Sequence, residues 1–181
     1  MSALTIARDD NANEILLNTT DGQEIQTALN AAGVRFERWE ADTPITKGMS
    51  NEEILAAYQT EITRLVEGEG YQTVDVISLS SDHPDKDALR QKFLSEHTHT
   101  EDEVRFFVAG EGVFYLHIDD KVYQVHCCKD DLISVPANVT HWFDMGPNPN
   151  FTAIRFFDNP EGWVAHFTGN DIANHFPMFE G

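Results

Sequence analysis

The sequence predicts a mainly β fold: an antiparallel sandwich or barrel with flanking helices and an N-terminal α/β elaboration. From residue 97 onward, short apolar runs alternate with turn residues at a spacing of roughly 8–12 residues, and no long helical pattern separates them. At 181 residues, the chain is expected to form a single domain. We expect N-terminal strands and helices over 1–90, the barrel core over 91–168 and a C-terminal tail over 169–181.

Residues 1–90 are expected to pack around the barrel. Apolar runs and alternating polarity predict strands at residues 3–7, 14–18, 34–40 and 71–79. Two capping boxes, each a hydroxyl side chain with Gln or Glu three positions later, predict helix starts at Thr20 and Ser50. Apolar residues at helical spacing follow both. The expected ends are Gly33 for the first helix and Gly68 and Gly70 for the second. A third, weaker helix is expected over 85–94.

The charge balance limits the classes of partner. Lys and Arg total 12 against 31 Asp and Glu, a net charge of −19, while hydrophobic residues make up 41% of the chain. Such a surface repels phosphate backbones and anionic lipid, so neither nucleic acid nor a membrane is an expected partner.

No apolar run approaches the about 20 residues needed to cross a bilayer, and the first residues lack a signal peptide's features. We expect a cytoplasmic protein that binds small molecules, and its self-repulsion favours a monomer.

The segment from His97 to Phe107 carries the clearest chemical signal. Side chains at positions i and i+2 of an extended strand share a face, and His97, His99, Glu103, Arg105 and Phe107 are all odd-numbered. Two imidazoles and a carboxylate on one face form a good site for a divalent metal. The alternative is a charged edge strand whose histidines face water. Such a strand rarely has two histidines and a glutamate at alternating positions just before an apolar run.

A fourth ligand is expected at His141. The chain turns at Pro136 and Asn138 and then re-enters a strand-like run that contains this histidine. A turn of that kind lets the second strand place one imidazole against the first three ligands. Taken alone, His141 would more often be a structural or surface residue, so its assignment depends on the first segment.

These two segments resemble the two motifs of the cupin superfamily. The ligand spacing of the first motif, His-x-His, three or four residues, Glu, six residues and Gly, is met by His97, His99, Glu103 and Gly110. The second motif is met in part: Pro136 and His141 fit, whereas Asp130 and Asn138 occupy glycine positions and Met145 an asparagine position. The departures affect turns and not ligands, and Asn tolerates a left-handed backbone nearly as well as Gly does.

The resemblance narrows to the acireductone dioxygenase family of methionine salvage through His97–Phe107 and the run from Arg155 to Trp163, RFFDNPEGW. It implies one divalent ion per chain, Fe(II) or Ni(II), and a reaction between O2 and acireductone, 1,2-dihydroxy-3-keto-5-(methylthio)pentene. With iron, the implied products are formate and 4-methylthio-2-oxobutanoate, the keto-acid precursor of methionine. With nickel, they are carbon monoxide, formate and 3-methylthiopropanoate.

Arg105 is the expected catalytic residue. It lies two positions after Glu103 on the inward face, and an inward arginine in an apolar strand needs an anionic partner. That partner is either the substrate dianion or a carboxylate in a buried salt bridge.

Four aromatic residues are candidates for the wall that holds the methylthio tail: Phe93, Phe107, Phe143 and Trp163. Aromatic faces suit thioether sulfur. Each of the four could instead be an ordinary core residue, because aromatic side chains dominate protein cores. Glu96 and Asp102 each precede a candidate ligand, and we expect them to orient the imidazoles as second-shell groups or to assist metal delivery.

Two other classes of function stay open. A non-oxidative cupin, an isomerase or decarboxylase of a small anionic substrate, could use the same ligands, but it should offer several cations, and Arg105 is the only basic residue in the motif strand. A small-molecule-sensing cupin is also compatible with the ligand set, although no appended DNA-binding domain is evident in the sequence.

Overall fold

The mainly β prediction is confirmed. The computed structural model describes residues 1–181 apart from the side chain of residue 160, and the described chain contains eleven strands and four α-helices. The strands are β1 (Ala3–Arg8), β2 (Asn11–Thr19), β3 (Arg35–Arg38), β4 (Thr73–Leu79), β5 (His97–Thr98), β6 (Glu103–Ile118), β7 (Lys121–Cys128), β8 (Asp131–Val135), β9 (Thr140–Asp144), β10 (Phe151–Phe157) and β11 (His166–Phe167). The helices are α1 (Gly22–Ala31), α2 (Asn51–Ala57), α3 (Gln59–Glu69) and α4 (Lys86–Phe93), with 3-10 turns at Pro160–Trp163 and Ile172–His175.

Two layers of antiparallel strands share the long strand β6. One layer has the order β11-β5-β9-β6-β7-β1-β2, and in the other β8 and β10 flank β6, with β3 beside β8 and β4 beside β10. Apolar side chains of both layers, among them Phe107, Phe114 and Ile133, form the core between them. No helix among the described residues is long and apolar enough to span a membrane.

The N-terminal strands extend these layers. β1 pairs with β7, β3 with β8 and β4 with β10, so three of the four N-terminal strands are hydrogen-bonded directly to barrel strands. Helix α1 buries Ile25 and Leu29 in the same core cluster as Phe107 and Phe114. The C-terminal tail packs on the outer face of β6 and β9, where the Tyr115 hydroxyl donates to the carbonyl of Pro177 (2.7 Å).

Two helix predictions need correction. The N-cap of α1 is Asp21 and not Thr20, because the Asp21 carboxylate accepts from the amide of Glu24 and the helix begins one residue later. The capping box at Ser50 is confirmed, but the single helix expected after it is divided into α2 and α3 at Tyr58. The break accompanies full burial of the Tyr58 ring, whose centroid lies 4.7 Å from that of Phe106.

The turns that replace the glycines of the second cupin motif are left-handed. Asp130 has a φ of 78° and Asn138 a φ of 67°. Both residue types tolerate this region better than other non-glycine residues do. Asp130 and Asn138 thus adopt the backbone conformation that glycine most readily adopts.

Strand β6 changes layers at Gly110. Residues before this point pair with β8 and β10, and residues after it pair with β7 and β9. Gly110 has a φ of +75°, and a Cβ atom added there would lie 1.8 Å from the carbonyl oxygen of Asn150. Glycine is therefore required both by the backbone conformation and by the close approach of the neighbouring strand.

Gly110→Ala is expected to destabilise the protein strongly. The left-handed backbone alone costs an alanine about 1–2 kcal/mol, and the contact with Asn150 adds to this. Thermal unfolding should show a clear fall in Tm. Gly68→Ala is the matched control, since Gly68 lies in α3 and an added Cβ meets nothing within 4 Å. Equal Tm values for the two variants would contradict this account of Gly110.

Candidate metal centre

The strand predicted over 97–107 is interrupted, so this part of the sequence prediction is wrong. β5 ends after two residues, the chain bends, and β6 begins at Glu103. β5 pairs with β9 through His97 and His141. The shared face of His97, His99 and Glu103 therefore does not result from regular strand alternation. The bend and the cross-strand pairing bring these side chains together.

The structure places the four predicted ligands in one cluster. Ligand atoms of His97, His99, Glu103 and His141 all lie within 4.8 Å of one another. His97 is 1% exposed and His141 2% exposed. The ring centroid of His97 lies 4.6 Å from that of His141 and 4.9 Å from that of His99. The cluster is thus buried and compact enough for a single ion to contact all four groups.

Main-chain carbonyls orient the three imidazoles. Each Nδ1 lies within hydrogen-bond distance of a carbonyl oxygen: His97 with Ser95 (2.7 Å), His99 with Val164 (3.2 Å) and His141 with Val139 (2.8 Å). Because a carbonyl only accepts, Nδ1 carries the proton in the neutral ring and Nε2 keeps its lone pair. The Nε2 atoms of His99 and His141 face the Glu103 carboxylate at 3.2 and 2.8 Å. At these distances either a proton or a metal ion can lie between each nitrogen and the carboxylate, and imidazole nitrogens that converge on one carboxylate form a suitable set of metal ligands.

Charge states also fit a metal. Burial, with the nearby His141, lowers the pKa of His97 to about 4, so this ring is neutral at pH 7. Burial opposes ionisation of Glu103, but the charge of Arg105 and the close contacts with His141 and His99 outweigh it and hold the pKa of Glu103 well below its ordinary value. Metal ligands must be deprotonated, and a neutral imidazole beside an ionised carboxylate meets that requirement. The donor set suits a divalent transition metal.

The contacts of Glu96 and Asp102 correct the expectation that they bond to the imidazoles. Glu96 lies 2.6 Å from Nδ1 of His117. Asp102 accepts from the Tyr71 hydroxyl (3.1 Å) and from the amide of Ala137 (2.9 Å). The Nδ1 partners of the three imidazoles are instead the carbonyl oxygens of Ser95, Val164 and Val139.

Arg105 lies beside the cluster with few strong contacts of its own. Its side chain is 15% exposed, Nη1 donates to the carbonyl of Val104, and its ion pair with Glu103 is long at 3.6 Å. Arg155 stands directly opposite on β10 and is held by two hydrogen bonds to Asp75 (2.8 and 2.6 Å). Protein carboxylates therefore neutralise the charge of Arg105 less than that of Arg155.

Two adjoining cavities open beside the cluster and share Phe93, Glu103, Arg105 and Arg155 in their walls. The first, of about 120 Å³, is mainly apolar, and its aromatic and sulfur-bearing lining consists of Phe93, Phe107, Phe114, Phe143, Met145 and Phe151. Trp163 lines the second, where its ring lies 4.0 Å from the Arg155 guanidinium carbon. All four aromatic residues singled out in the sequence therefore line these cavities.

Sequence reasoning missed other lining residues. One sequence signal could have indicated Arg155: the run Arg-Phe-Phe occurs both at 105–107 and at 155–157. In the structure, the paired strands β6 and β10 place the two arginines opposite each other. Phe114 pairs with Phe143 across β6 and β9, which only the register of these strands reveals. Met145 follows the end of β9 and lines the same cavity.

Comparisons with known proteins agree with this geometry. The family model described as "ARD/ARD' family" matches residues 3–165. A protein of Enterobacter sp. (strain 638) named acireductone dioxygenase is 62% identical over 177 residues, 98% of both chains. One of the same name from Pseudomonas savastanoi pv. phaseolicola is 59% identical over 180 residues, 99% of this chain and 98% of its own.

A solved structure agrees as well. The acireductone dioxygenase from Bacillus anthracis with cadmium ion in active center is 32% identical, has a TM-score of 0.78, and matches 92% of this chain and 99% of its own. A metal therefore occupies the active centre of a protein with this fold. The family match over most of the chain and the high identities together show that the chain belongs to the ARD/ARD' family.

Proposed function

We propose that this protein is a metal-dependent dioxygenase that cleaves acireductone with O2. The observation that carries the proposal is the cluster of three histidines and one glutamate within 4.8 Å, which opens onto an apolar cavity beside Arg105. The high identity to relatives named acireductone dioxygenase supports the same substrate. With Fe(II), the products would be formate and 4-methylthio-2-oxobutanoate. With Ni(II), they would be carbon monoxide, formate and 3-methylthiopropanoate.

His97, His99, Glu103 and His141 would hold one divalent ion per chain. A bound ion would act as a Lewis acid that favours the ionised form of the enediol. Imidazole and carboxylate ligands accept both Fe(II) and Ni(II), and the general affinity order favours nickel. Metal supply in the cell would therefore decide which ion is loaded.

Arg105 would stabilise the anionic substrate. Its guanidinium lines both cavities, and its contact with Glu103 is long. Arg155 is already held by Asp75, so Arg105 has the more available charge. A buried guanidinium favours an anion that reaches it, because the surroundings screen the charge weakly.

The aromatic side chains of Phe93, Phe107, Phe143 and Trp163 would enclose the methylthio tail. Their support is position, since each lines one of the two cavities that Glu103 and Arg105 also line. Aromatic rings make favourable contacts with thioether sulfur.

Phe143→Ala is expected to raise KM for acireductone by about tenfold, with little change in bound metal, because the tail would lose an apolar and sulfur–aromatic contact. Steady-state kinetics and metal analysis of the same preparation would measure both quantities. Loss of metal with an unchanged KM would instead indicate that Phe143 only supports the fold.

Glu96 and Asp102 would act on the centre through the main chain. Asp102 ties the bend before Glu103 to Tyr71 and to the turn that precedes His141. Glu96 would fix the start of β5 through its contact with His117. Full metal content and full activity in both alanine variants would contradict these roles.

We also propose that the protein works as a cytoplasmic monomer on a small molecule and O2. The support is the net charge of −19, which opposes self-association and binding to polyanions.

Oxygen consumption tests the proposed reaction class. Metal-stripped protein reloaded with Fe(II) should consume one O2 for each acireductone and should be inactive without oxygen. Turnover under anaerobic conditions would contradict the proposal and would favour a non-oxidative isomerase or decarboxylase. Binding without turnover in either condition would favour a sensor.

A further inference from the structure

Gly112 lies buried in β6, against one edge of the Phe143 ring. A Cβ atom added at Gly112 would lie 2.5 Å from Cζ and 2.6 Å from Cε2 of that ring. These distances are far below van der Waals contact. The ring can occupy its observed place only because residue 112 has no side chain.

The backbone does not explain this glycine. Gly112 pairs with Cys127 in a regular antiparallel ladder and is not among the residues with a positive φ. Strand interiors normally disfavour glycine, and in a strand it often marks a close approach. Gly110, only two residues away, differs because its left-handed φ requires glycine. The ring of Phe143 is thus the contact that excludes a side chain at residue 112.

Neighbouring rings restrict where Phe143 could move. The Phe114 ring lies 4.7 Å away, centroid to centroid, and the Phe151 ring lies 6.1 Å away in an edge-on arrangement. All three rings line the apolar cavity that Glu103 and Arg105 also border. The cavity is the open side, so a side chain at residue 112 would push the Phe143 ring into it.

We propose that Gly112 is a specificity-determining residue, which sets the length of the substrate tail by letting the Cζ–Cε2 edge of the Phe143 ring approach the backbone of β6. The inference rests on the proposed function, because it concerns the apolar tail of an enediol substrate. The oxygens of that substrate would lie at the Glu103 end of the cavity. The accepted class is an enediol ketone with a short, unbranched apolar tail. A larger residue at 112 would shorten the tail that fits.

Gly112→Ala tests this with two substrates: acireductone with its methylthioethyl tail, and the analogue in which a methyl group replaces that tail. KM for the long-tailed substrate should rise by at least about tenfold, the scale of one methylene in an apolar pocket, while KM for the short analogue should change by less than about twofold. Bound metal should be unchanged. Gly68→Ala is the control and should alter neither KM.

The double variant Gly112→Ala with Phe143→Leu separates the ring contact from a general folding defect. With the ring removed, the added methyl group has room, so the double variant should fold and match Phe143→Leu alone in KM and Tm. A double variant as impaired as Gly112→Ala would show that the ring is not the cause, and the inference would be overturned.

A crystal structure of Gly112→Ala gives a readout that does not depend on turnover. The Phe143 ring should be displaced into the cavity, and a ring that stays in place or moves elsewhere would overturn the inference. If the wild-type protein turns over acireductone but Gly112→Ala changes KM equally for both substrates, the role of Gly112 is overturned and the proposed function is not. Absence of wild-type turnover with metal bound would overturn the proposed function and this role together.

Discussion

His141→Ala is expected to remove most of the bound metal and to lower turnover by at least about 100-fold, since loss of a mere second-shell partner already costs roughly 10–100-fold in metal affinity or activity. His141 is 2% exposed and its Nε2 lies 2.8 Å from the Glu103 carboxylate. An alanine there leaves a buried gap that the remaining ligands cannot fill. Metal analysis after dialysis and steady-state kinetics would measure both effects.

His126→Ala is the matched control for this variant. His126 lies on β7, bonds to Glu111 at 2.7 Å, and is not part of the ligand cluster. Its replacement should leave metal content and turnover close to wild type. If His141→Ala retained a full metal ion, His141 would not be a ligand, and the four-ligand centre would be wrong.

Arg105→Ala is expected to keep its metal and to lose turnover by about 100-fold, which is the effect of removing one positioned electrostatic group from an active site. The four candidate ligands remain intact in this variant, so metal content and catalysis should separate. Arg105→Lys keeps the charge but loses the planar fork, and it should recover only part of the activity.

Arg64→Ala provides the control, because Arg64 lies on the surface helix α3 and pairs there with Glu37 and Glu61. Unchanged turnover of Arg105→Ala with full metal would show that Arg105 only neutralises Glu103. Loss of metal together with turnover would show that it supports the ligand cluster.

The fold class could be predicted from sequence because its signals are local. Short alternating runs and the capping box at Ser50 depend on a few neighbouring residues. The break at Tyr58 could not be predicted in this way. The apolar stripe of α2 and α3 is continuous in the sequence, and the burial of the Tyr58 ring against Phe106 is a tertiary contact. The predicted start of α1 differs from the observed one by a single residue, because Thr20 and Asp21 are both good N-cap residues.

The candidate ligands could be identified from the sequence, but their geometry could not. Residue types and spacing identify His97, His99 and Glu103, while the bend between them depends on pairing with β9. The same limit applies to the groups that orient the rings. A carbonyl oxygen such as that of Val164 has no sequence signature, so carboxylates next to the ligands were the natural but incorrect choice.

Product analysis after aerobic turnover tests the central claim most directly. Metal-stripped protein would be reloaded with Fe(II), mixed with acireductone, and compared with an enzyme-free reaction, because the substrate also oxidises spontaneously. The account predicts formate and 4-methylthio-2-oxobutanoate, formed faster than in the enzyme-free control and lost in His141→Ala. Bound metal with no enhancement over spontaneous oxidation would contradict it.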